Sequence, residues 1–139
     1  MSYDQIYNIA ANGMRLEKLR VDVVANNIAN QHSLQTASSQ FQPLQVLATA
    51  KPFDAYLSDT KGNEFAQISL APQNLPLNKV YQPGHPAADQ QGYISYPGIS
   101  LVDEMTTLLR ASRAYEANVK VINTAHSLYL QALSIGNDR

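Results

Sequence analysis

The fold of this 139-residue chain is decided by residues 101–135, which read LVDEMTTLLRASRAYEANVKVINTAHSLYLQALSI. Neither proline nor glycine interrupts this stretch before Gly136. Mostly apolar residues recur in it at alternating intervals of four and three, the pattern of a helix packed lengthwise against another helix. The row contains Leu101, Met105, Leu108, Ser112, Tyr115, Val119, Ile122, His126, Tyr129 and Leu133. The pattern predicts a helix roughly 50 Å long whose apolar row needs a partner.

Both ends of this stretch carry helix boundary signals. Ser100 lies just before the helix and Asp103 follows it at the spacing of a capping box. Asp103 and Glu104 also place negative charge at the positive end of the helix dipole. Gly136 is predicted to end the helix as its C-cap.

A second helix is predicted from about residue 3 to residue 30. One row along it holds Ile6, Ile9, Gly13, Leu16, Arg20, Val23 and Asn27, and a neighbouring row holds Ala10, Met14, Val21, Val24 and Ile28. Together the two rows give the broad apolar face of an amphipathic helix. Gly13 either marks the close approach of a neighbouring helix or is a tolerated glycine, and both interpretations stay open.

Asparagines crowd the end of this second helix, where residues 25–30 read ANNIAN. Asparagine is a mediocre helix former, but at a helix interface it fixes register and partner orientation. The pair Asn26 and Asn27 lies on the apolar face, which favours register-setting side-chain hydrogen bonds. The alternative interpretation is that Asn26, Asn27 and Asn30 simply cap a frayed helix end.

The middle of the chain has a different character. All seven prolines and four of the six glycines lie between residues 41 and 99, so a long helix is not expected there. Short apolar runs predict strands at about Leu44–Thr49, Phe65–Leu70 and Leu77–Tyr81. The fold class is therefore mainly α, with long N- and C-terminal helices pairing as a coiled coil around a small β- and turn-rich middle segment. The predicted division is 1–35, 36–99 and 100–139, in which the first and last parts form one axial core.

Composition narrows the functional classes. The net charge of −1 gives no electrostatic reason to expect binding to nucleic acid or to an anionic membrane. Disulfides and cysteine-ligated metals are ruled out because the chain has no cysteine. No apolar run approaches the roughly 18 residues of a membrane-spanning helix, and the N-terminus lacks the features of a cleavable secretion signal. Neither nucleic-acid binding nor membrane insertion is expected.

Catalytic and metal chemistry has little support in the sequence. His85 with Asp89 could suggest a reactive pair, but no third group completes a catalytic constellation and no zinc-ligand spacing is present. A structural role of His85 in its loop is favoured over chemistry. No catalytic residue, cofactor or metal site is predicted. Substitution of His85 by Ala would abolish turnover under the enzyme hypothesis and would merely perturb folding or assembly under the structural one.

The two terminal helices carry more apolar surface than one two-helix contact can hide. A large exposed apolar patch marks an interaction site. The pattern therefore predicts an assembling subunit, with a soluble helical adaptor as the competing hypothesis. The predicted assembly interface consists of Ile6, Ile9, Gly13, Leu16, Val23, Val24, Asn26, Asn27, Ile28 and Asn30 in the first helix, and of Leu101, Met105, Leu108, Tyr115, Asn118, Val119, Ile122 and Tyr129 in the second.

The same residues resemble a known family. Gly13-Met14 followed by ANNIAN at residues 25–30 is similar to the N-terminal signature of bacterial flagellar axial proteins of the rod and hook class. The C-terminal part closely resembles the proximal rod proteins of that class, in VYQPGHPAAD at 80–89, GYISYP at 92–97, EM at 104–105 and ASRAYEANV at 111–119. Two departures are that Gln31-His32-Ser33 replaces the usual Asn-Thr element and that residues 36–79 match weakly.

The resemblance implies a non-enzymatic subunit of the flagellar rod, the drive shaft that crosses the periplasm. In such proteins the terminal helices form the inner coiled-coil layer of a helical tube and the middle segment faces outward. The partners implied are further copies of the chain, the other proximal and distal rod proteins, the base-ring adaptor protein and the flagellar type III export apparatus, which exports the chain without cleaving a signal peptide. The alternative within the class is a distal rod or hook-type subunit.

Overall fold

A computed structural model describes residues 3–36, 39–50 and 66–137. Two long helices from the chain ends pack against each other, and two small antiparallel hairpins lie between them in the sequence. This confirms the mainly α fold class. The elements are α1 (Tyr3–Ala29), β1 (Leu44–Ala50), β2 (Ala66–Pro72), β3 (Asn78–Tyr81), β4 (Tyr93–Tyr96) and α2 (Leu101–Asn137).

The two helices run antiparallel along their shared length. The ring of Tyr3 stacks on that of Tyr129 at 4.9 Å between centroids, and Asn27 at the other end of α1 meets Glu104. Between them, a Cβ added at Gly13 would lie 2.8 Å from Nδ2 of Asn118. The helices therefore approach closely at Gly13, which favours the close-approach interpretation of this glycine.

The contact inside the chain uses part of the predicted row of α2 together with positions beside it. Glu104 and Ala111 are buried, whereas the predicted Leu101 and Met105 are exposed. The less exposed positions of α2 are Glu104, Thr107, Leu108, Ala111, Ser112, Ala114, Asn118, Val119, Ile122 and Ala125. Of these, Leu108, Ser112, Val119 and Ile122 belong to the predicted row. Glu104 and Ala111, the two buried positions, lie outside that row, because it was chosen by apolar residues.

The start of α2 is capped as predicted, whereas its end differs from the prediction. Oγ of Ser100 accepts a hydrogen bond from the backbone N–H of Asp103 at 3.4 Å, as a capping residue does. Gly136, predicted as the C-cap, lies inside the helix, which continues to Asn137. Among the described glycines, Gly92 is the one with positive φ, so Gly136 does not adopt the left-handed conformation that a glycine C-cap uses.

The middle segment forms two hairpins. β1 pairs with β2 from Leu44↔Pro72 to Ala50↔Ala66, and β3 pairs with β4 from Asn78↔Tyr96 to Tyr81↔Tyr93. The three predicted strands are confirmed within about two residues over the part that the structure describes. β4 was not predicted, because its four residues, YISY, are too few to display a period between the turns on either side.

The second hairpin sets the start of α2. Ile94 of β4 is almost fully buried, and the backbone of Ser95 accepts a hydrogen bond from the N–H of Gln35 at 2.8 Å. A Cβ added at Gly98 would overlap the carbonyl oxygen of Pro76, so only glycine fits where these two backbone segments cross. These contacts therefore fix the direction in which the chain enters α2.

Candidate assembly interface

Much of the apolar surface of α2 is left uncovered by the rest of the described chain. Among the described residues, the buried apolar ones are Ala10, Val24, Ile94 and Ala111 with Pro43 and Pro97, a small core for helices of 27 and 37 residues. Exposed large apolar side chains on α2 are Leu101, Val102, Met105, Leu109, Tyr115, Val121, Leu128, Tyr129, Leu130, Leu133 and Ile135. An apolar surface of this extent is typical of a chain that binds other chains.

The residues predicted as the assembly interface fall into three groups by exposure. Val24 and Asn27 are buried within the chain. Partly buried are Ile6, Gly13, Leu16, Val23, Ile28, Asn30, Leu108, Asn118, Val119 and Ile122, and exposed are Ile9, Asn26, Leu101, Met105, Tyr115 and Tyr129. The buried members join the chain's own elements, and the exposed members are open to another molecule. That they bind neighbouring subunits stays a prediction.

The C-terminal end of α2 extends beyond α1. Because Tyr3, the first residue of α1, stacks on Tyr129, residues 130–137 lie past the described end of α1, and we call them the overhang. The overhang is about 12 Å long at 1.5 Å per residue. Leu130, Leu133 and Ile135 in it are 51%, 52% and 77% exposed. The overhang is thus an apolar helix end without cover from α1.

A groove lies between α1 and the first hairpin. Its volume is about 430 Å³, and its walls include Ile9, Gly13, Arg15 and Leu16 of α1 with Ala66 and Ile68 of β2. β1 packs against α1, while Ile68 and Leu70 of β2 stay 38% and 50% exposed. The groove is therefore a mainly apolar recess beside α1, with an arginine among its lining residues.

A buried polar cluster joins α1, α2 and the first hairpin, and we call it the polar junction (Asn27, Leu44, Gln73 and Glu104). Nδ2 of Asn27 donates to the carbonyl oxygen of Leu44 at 2.8 Å, and Oδ1 of Asn27 accepts from the N–H of Leu44 at 3.1 Å. The asparagine side chain therefore pairs with the strand as a neighbouring backbone would. Asn27 is 1% exposed, so these bonds are shielded from water.

Glu104 completes the polar junction from the first turn of α2. Its carboxylate accepts from Nδ2 of Asn27 at 3.4 Å to each oxygen, and from Nε2 of Gln73 at 3.2 Å. Nε2 of Gln73 also donates to the carbonyl oxygen of Leu44 at 3.1 Å. The N-terminal position on α2 favours a carboxylate there. The cluster thus fixes the hairpin against the ends of both helices at once.

The other asparagines of ANNIAN act locally. Nδ2 of Asn30 donates to the carbonyl oxygen of Asn26 at 2.9 Å and to its Oδ1 at 2.7 Å. Oγ of Ser33 donates to Oδ1 of Asn30 at 3.1 Å. Asn26 and Asn30 therefore satisfy the end of α1, whereas Asn27 sets the position of another element. The register-setting interpretation therefore applies to Asn27, and the capping interpretation applies to Asn26 and Asn30.

His85 and Asp89 hold their own loop. Nδ1 of His85 accepts from the N–H of Ala87 at 3.1 Å, and Oδ1 of Asp89 accepts from the N–H groups of Tyr93 at 2.9 Å and Gln91 at 2.8 Å. The bond from Tyr93, then that from Gln91 and the charge of Lys79, hold the pKa of Asp89 below its ordinary value. Both side chains serve turn geometry, which agrees with the structural role predicted for His85.

The part of the chain that the structure describes contains neither a cluster of metal-ligating side chains nor a helix that could span a membrane. No group of three or more His, Cys, Asp or Glu residues is placed to hold a metal ion there. Neither α1 nor α2, over its described residues, combines the length and apolarity of a membrane span. The features that remain are the apolar surface of α2, the overhang, the groove and the polar junction.

Sequence similarity to known proteins covers almost the whole chain. Residues 90–135 match the family model described as the C-terminal part of flagellar basal body rod FlgEFG proteins. The flagellar basal-body rod protein FlgC of Salmonella typhimurium is 36% identical over 141 residues, which cover 98% of this chain and 99% of the relative. FlgC of Yersinia enterocolitica is 37% identical with the same coverage, and FlgC of Borreliella burgdorferi is 34% identical over 92% of this chain and 93% of the relative.

Proposed function

The chain belongs to the family of the flagellar basal-body rod protein FlgC, whose members are structural rod subunits, and we propose that it assembles helically through its terminal helices to transmit motor torque across the periplasm. The observation that carries this proposal is the uncovered apolar surface of α2. A 37-residue helix with exposed Leu, Met, Tyr, Val and Ile side chains along its length is suited to lie among other helices.

Torque transmission follows from how such helices pack. Close-packed interfaces resist sliding, because every displacement opens voids and forces side chains out of their rotamers. A helix that contacts several neighbours along its length therefore passes on a rotation with little slippage. The polar junction supports the same role, since it ties the first hairpin to both helices and limits how that hairpin can turn relative to the shaft.

We further propose that the two ends of the chain and its middle segment have different roles. Residues 1–35 and 100–139 form the axial core that contacts neighbouring subunits, and residues 36–99 face outward. The proposed partners are further copies of the chain, the other proximal and distal rod proteins and the base-ring adaptor protein. Passage through the flagellar type III export apparatus, with no cleaved signal peptide, brings the chain to the rod in the periplasmic space.

The role is proposed to be structural and not enzymatic. His85 and Asp89 direct their acceptor atoms at backbone amides of their own loop, so neither is held ready for proton transfer to a substrate. A turn residue of this kind contributes to local folding, and its loss should merely perturb folding or assembly.

Electron microscopy of basal bodies from a gene-deletion strain tests the proposal. We expect basal bodies without a rod, and we expect the rod to return when the wild-type gene is supplied. A His85→Ala gene is the comparison variant, and we expect it at most to perturb folding or assembly. Intact rods in the deletion strain would favour the helical adaptor, and a turnover activity that His85→Ala abolishes would favour the enzyme hypothesis.

A further inference from the structure

The overhang and the groove are two surfaces that the described part of the chain leaves uncovered, and both are mainly apolar. We propose that the overhang of one copy docks into the groove of a second copy. The inference rests on the proposed assembly and goes further, because it names the two segments that meet. It also gives each copy one donor surface and one acceptor surface.

The groove offers an apolar floor for such a helix end. The strand register places Ile68 opposite Ala48 and Leu70 opposite Val46, so these four side chains share one face of the first hairpin. Ile68 and Leu70 on that face stay substantially exposed, as does Ile9 on the α1 side. The overhang presents Leu130 and Leu133, which lie three positions apart on one side of the helix and are aliphatic side chains suited to a recess of about 430 Å³. Docking would remove both apolar surfaces from water.

Charge favours the same pairing. The C-terminal end of a helix carries a partial negative charge, and basic side chains near it are stabilising. Over its described residues α2 has no basic side chain in its last turn, so a basic side chain of a neighbouring molecule would add to its stability. Arg15 is exposed and lines the groove. A docked overhang would bring the negative end of α2 to this arginine, which favours a helix C-terminus as the occupant of the groove.

Helix geometry requires that the two surfaces come from different copies. The groove lies at the level of Gly13, which faces Asn118 across the helix pair. Leu133 is 15 positions farther along α2, which is about 22 Å at 1.5 Å per residue. A continuous α2 therefore cannot return its own overhang to its own groove. Since donor and acceptor surfaces differ, the contact is head-to-tail and propagates into an open chain of subunits.

Cysteine cross-linking in basal bodies tests the contact, and the natural chain contains no cysteine to interfere. The variant carries Ile68→Cys in the groove and Leu133→Cys in the overhang of the same chain. After a short bismaleimide is added, we expect a ladder of dimers, trimers and larger species on a denaturing gel. Each single-cysteine variant should lack this ladder. Ile68→Cys with Val102→Cys is the matched control, because Val102 is 73% exposed but lies at the other end of α2.

A second pair of cysteine substitutions keeps the test valid if the first pair disrupts folding. Gln67 lines the groove and Gln131 is exposed on the overhang, so Gln67→Cys with Gln131→Cys replaces polar side chains at the same two places. This pair should give the same ladder. Arg15→Glu added to it should lower the ladder yield several-fold, whereas Lys18→Glu, a charge reversal on α1 away from the groove lining, should not.

The outcomes separate this inference from the proposed function. Normal rods with no ladder from either pair would overturn the docking of overhang into groove and leave the rod assignment standing. A link within one chain, seen as a monomer with altered mobility, would also overturn it. Intact rods in the deletion strain would overturn the rod assignment itself, and the docking proposal with it.

Discussion

Replacing Val24 by Asp is expected to abolish swimming and rod assembly while the protein is still made. Val24 is 4% exposed where α1 meets α2, and it lies beside Glu104 in the wall of one recess. An aspartate there would be a buried carboxylate in a recess that Glu104 also lines, and the cation in that lining, Arg20, is already paired with Glu17. Burying an uncompensated charge costs on the order of 3–5 kcal/mol, a large part of the total stability of a small protein.

The matched control for this substitution is Ala25→Asp. Ala25 is the next residue of α1 but is exposed, so the same charge would be hydrated there. Swimming assays with immunoblots for protein level compare the two variants. Normal swimming by Val24→Asp, or equal loss by both variants, would contradict the packing of α1 on α2. Ile122→Asp is expected to impair swimming too, because Ile122 is partly buried on the row of α2 that faces α1.

Replacing Asn27 by Asp is expected to detach the first hairpin from the helices. The side chains have almost the same shape, but aspartate has no Nδ2 to donate to the carbonyl oxygen of Leu44 or to the carboxylate of Glu104. It would place a second carboxylate where the amide nitrogen now lies 3.4 Å from both oxygens of Glu104. Lost buried bonds and like-charge repulsion together should cost about 2–5 kcal/mol.

Asn26→Asp is the control for this chemistry. Asn26 is exposed and uses its Oδ1 as an acceptor for Asn30, a role that a carboxylate oxygen also fills. We expect a change within about 0.5 kcal/mol for this surface position. Urea unfolding gives the free-energy differences, and hydrogen exchange at the N–H of Leu44 reports whether the hairpin stays docked. Unchanged exchange in Asn27→Asp would show that the hairpin is held by other contacts.

The helices and their pairing could be predicted from sequence because they depend on local periodicity. Residues 3–29 and 101–137 keep their pattern without proline, so their type and length were evident. The residues at which the two helices face each other were harder to predict from the sequence. Apolar residues surround much of α2, and the choice between rows depends on Gly13 meeting Asn118 and on Glu104 meeting Asn27. The sequence indicated Gly13, Asn27 and Asn118 as interface positions, but it did not indicate which of them face each other or that Glu104 takes part.

The polar junction could be predicted only in part. The ANNIAN motif indicated that an asparagine sets register, and Asn27 does so. Its partners were not evident, because Glu104 lies 77 positions away and the bond to Leu44 involves backbone atoms that carry no side-chain signal. Gln73 was missed for the same reason. A glutamate on the same heptad row as Leu108 and Ala111 was the one available hint, since a charged residue at a packed position needs a buried partner.

The most direct test of the central claim is a cryo-electron microscopy map of the basal body from a strain that makes this protein. We expect this chain in the proximal rod, with α2 packed against helices of several neighbouring subunits and the first hairpin directed outward. The exposed Leu101, Met105, Tyr115 and Tyr129 should be covered by those neighbours. A rod built without this chain, or a chain whose α2 surface remains uncovered in the assembled rod, would contradict the account.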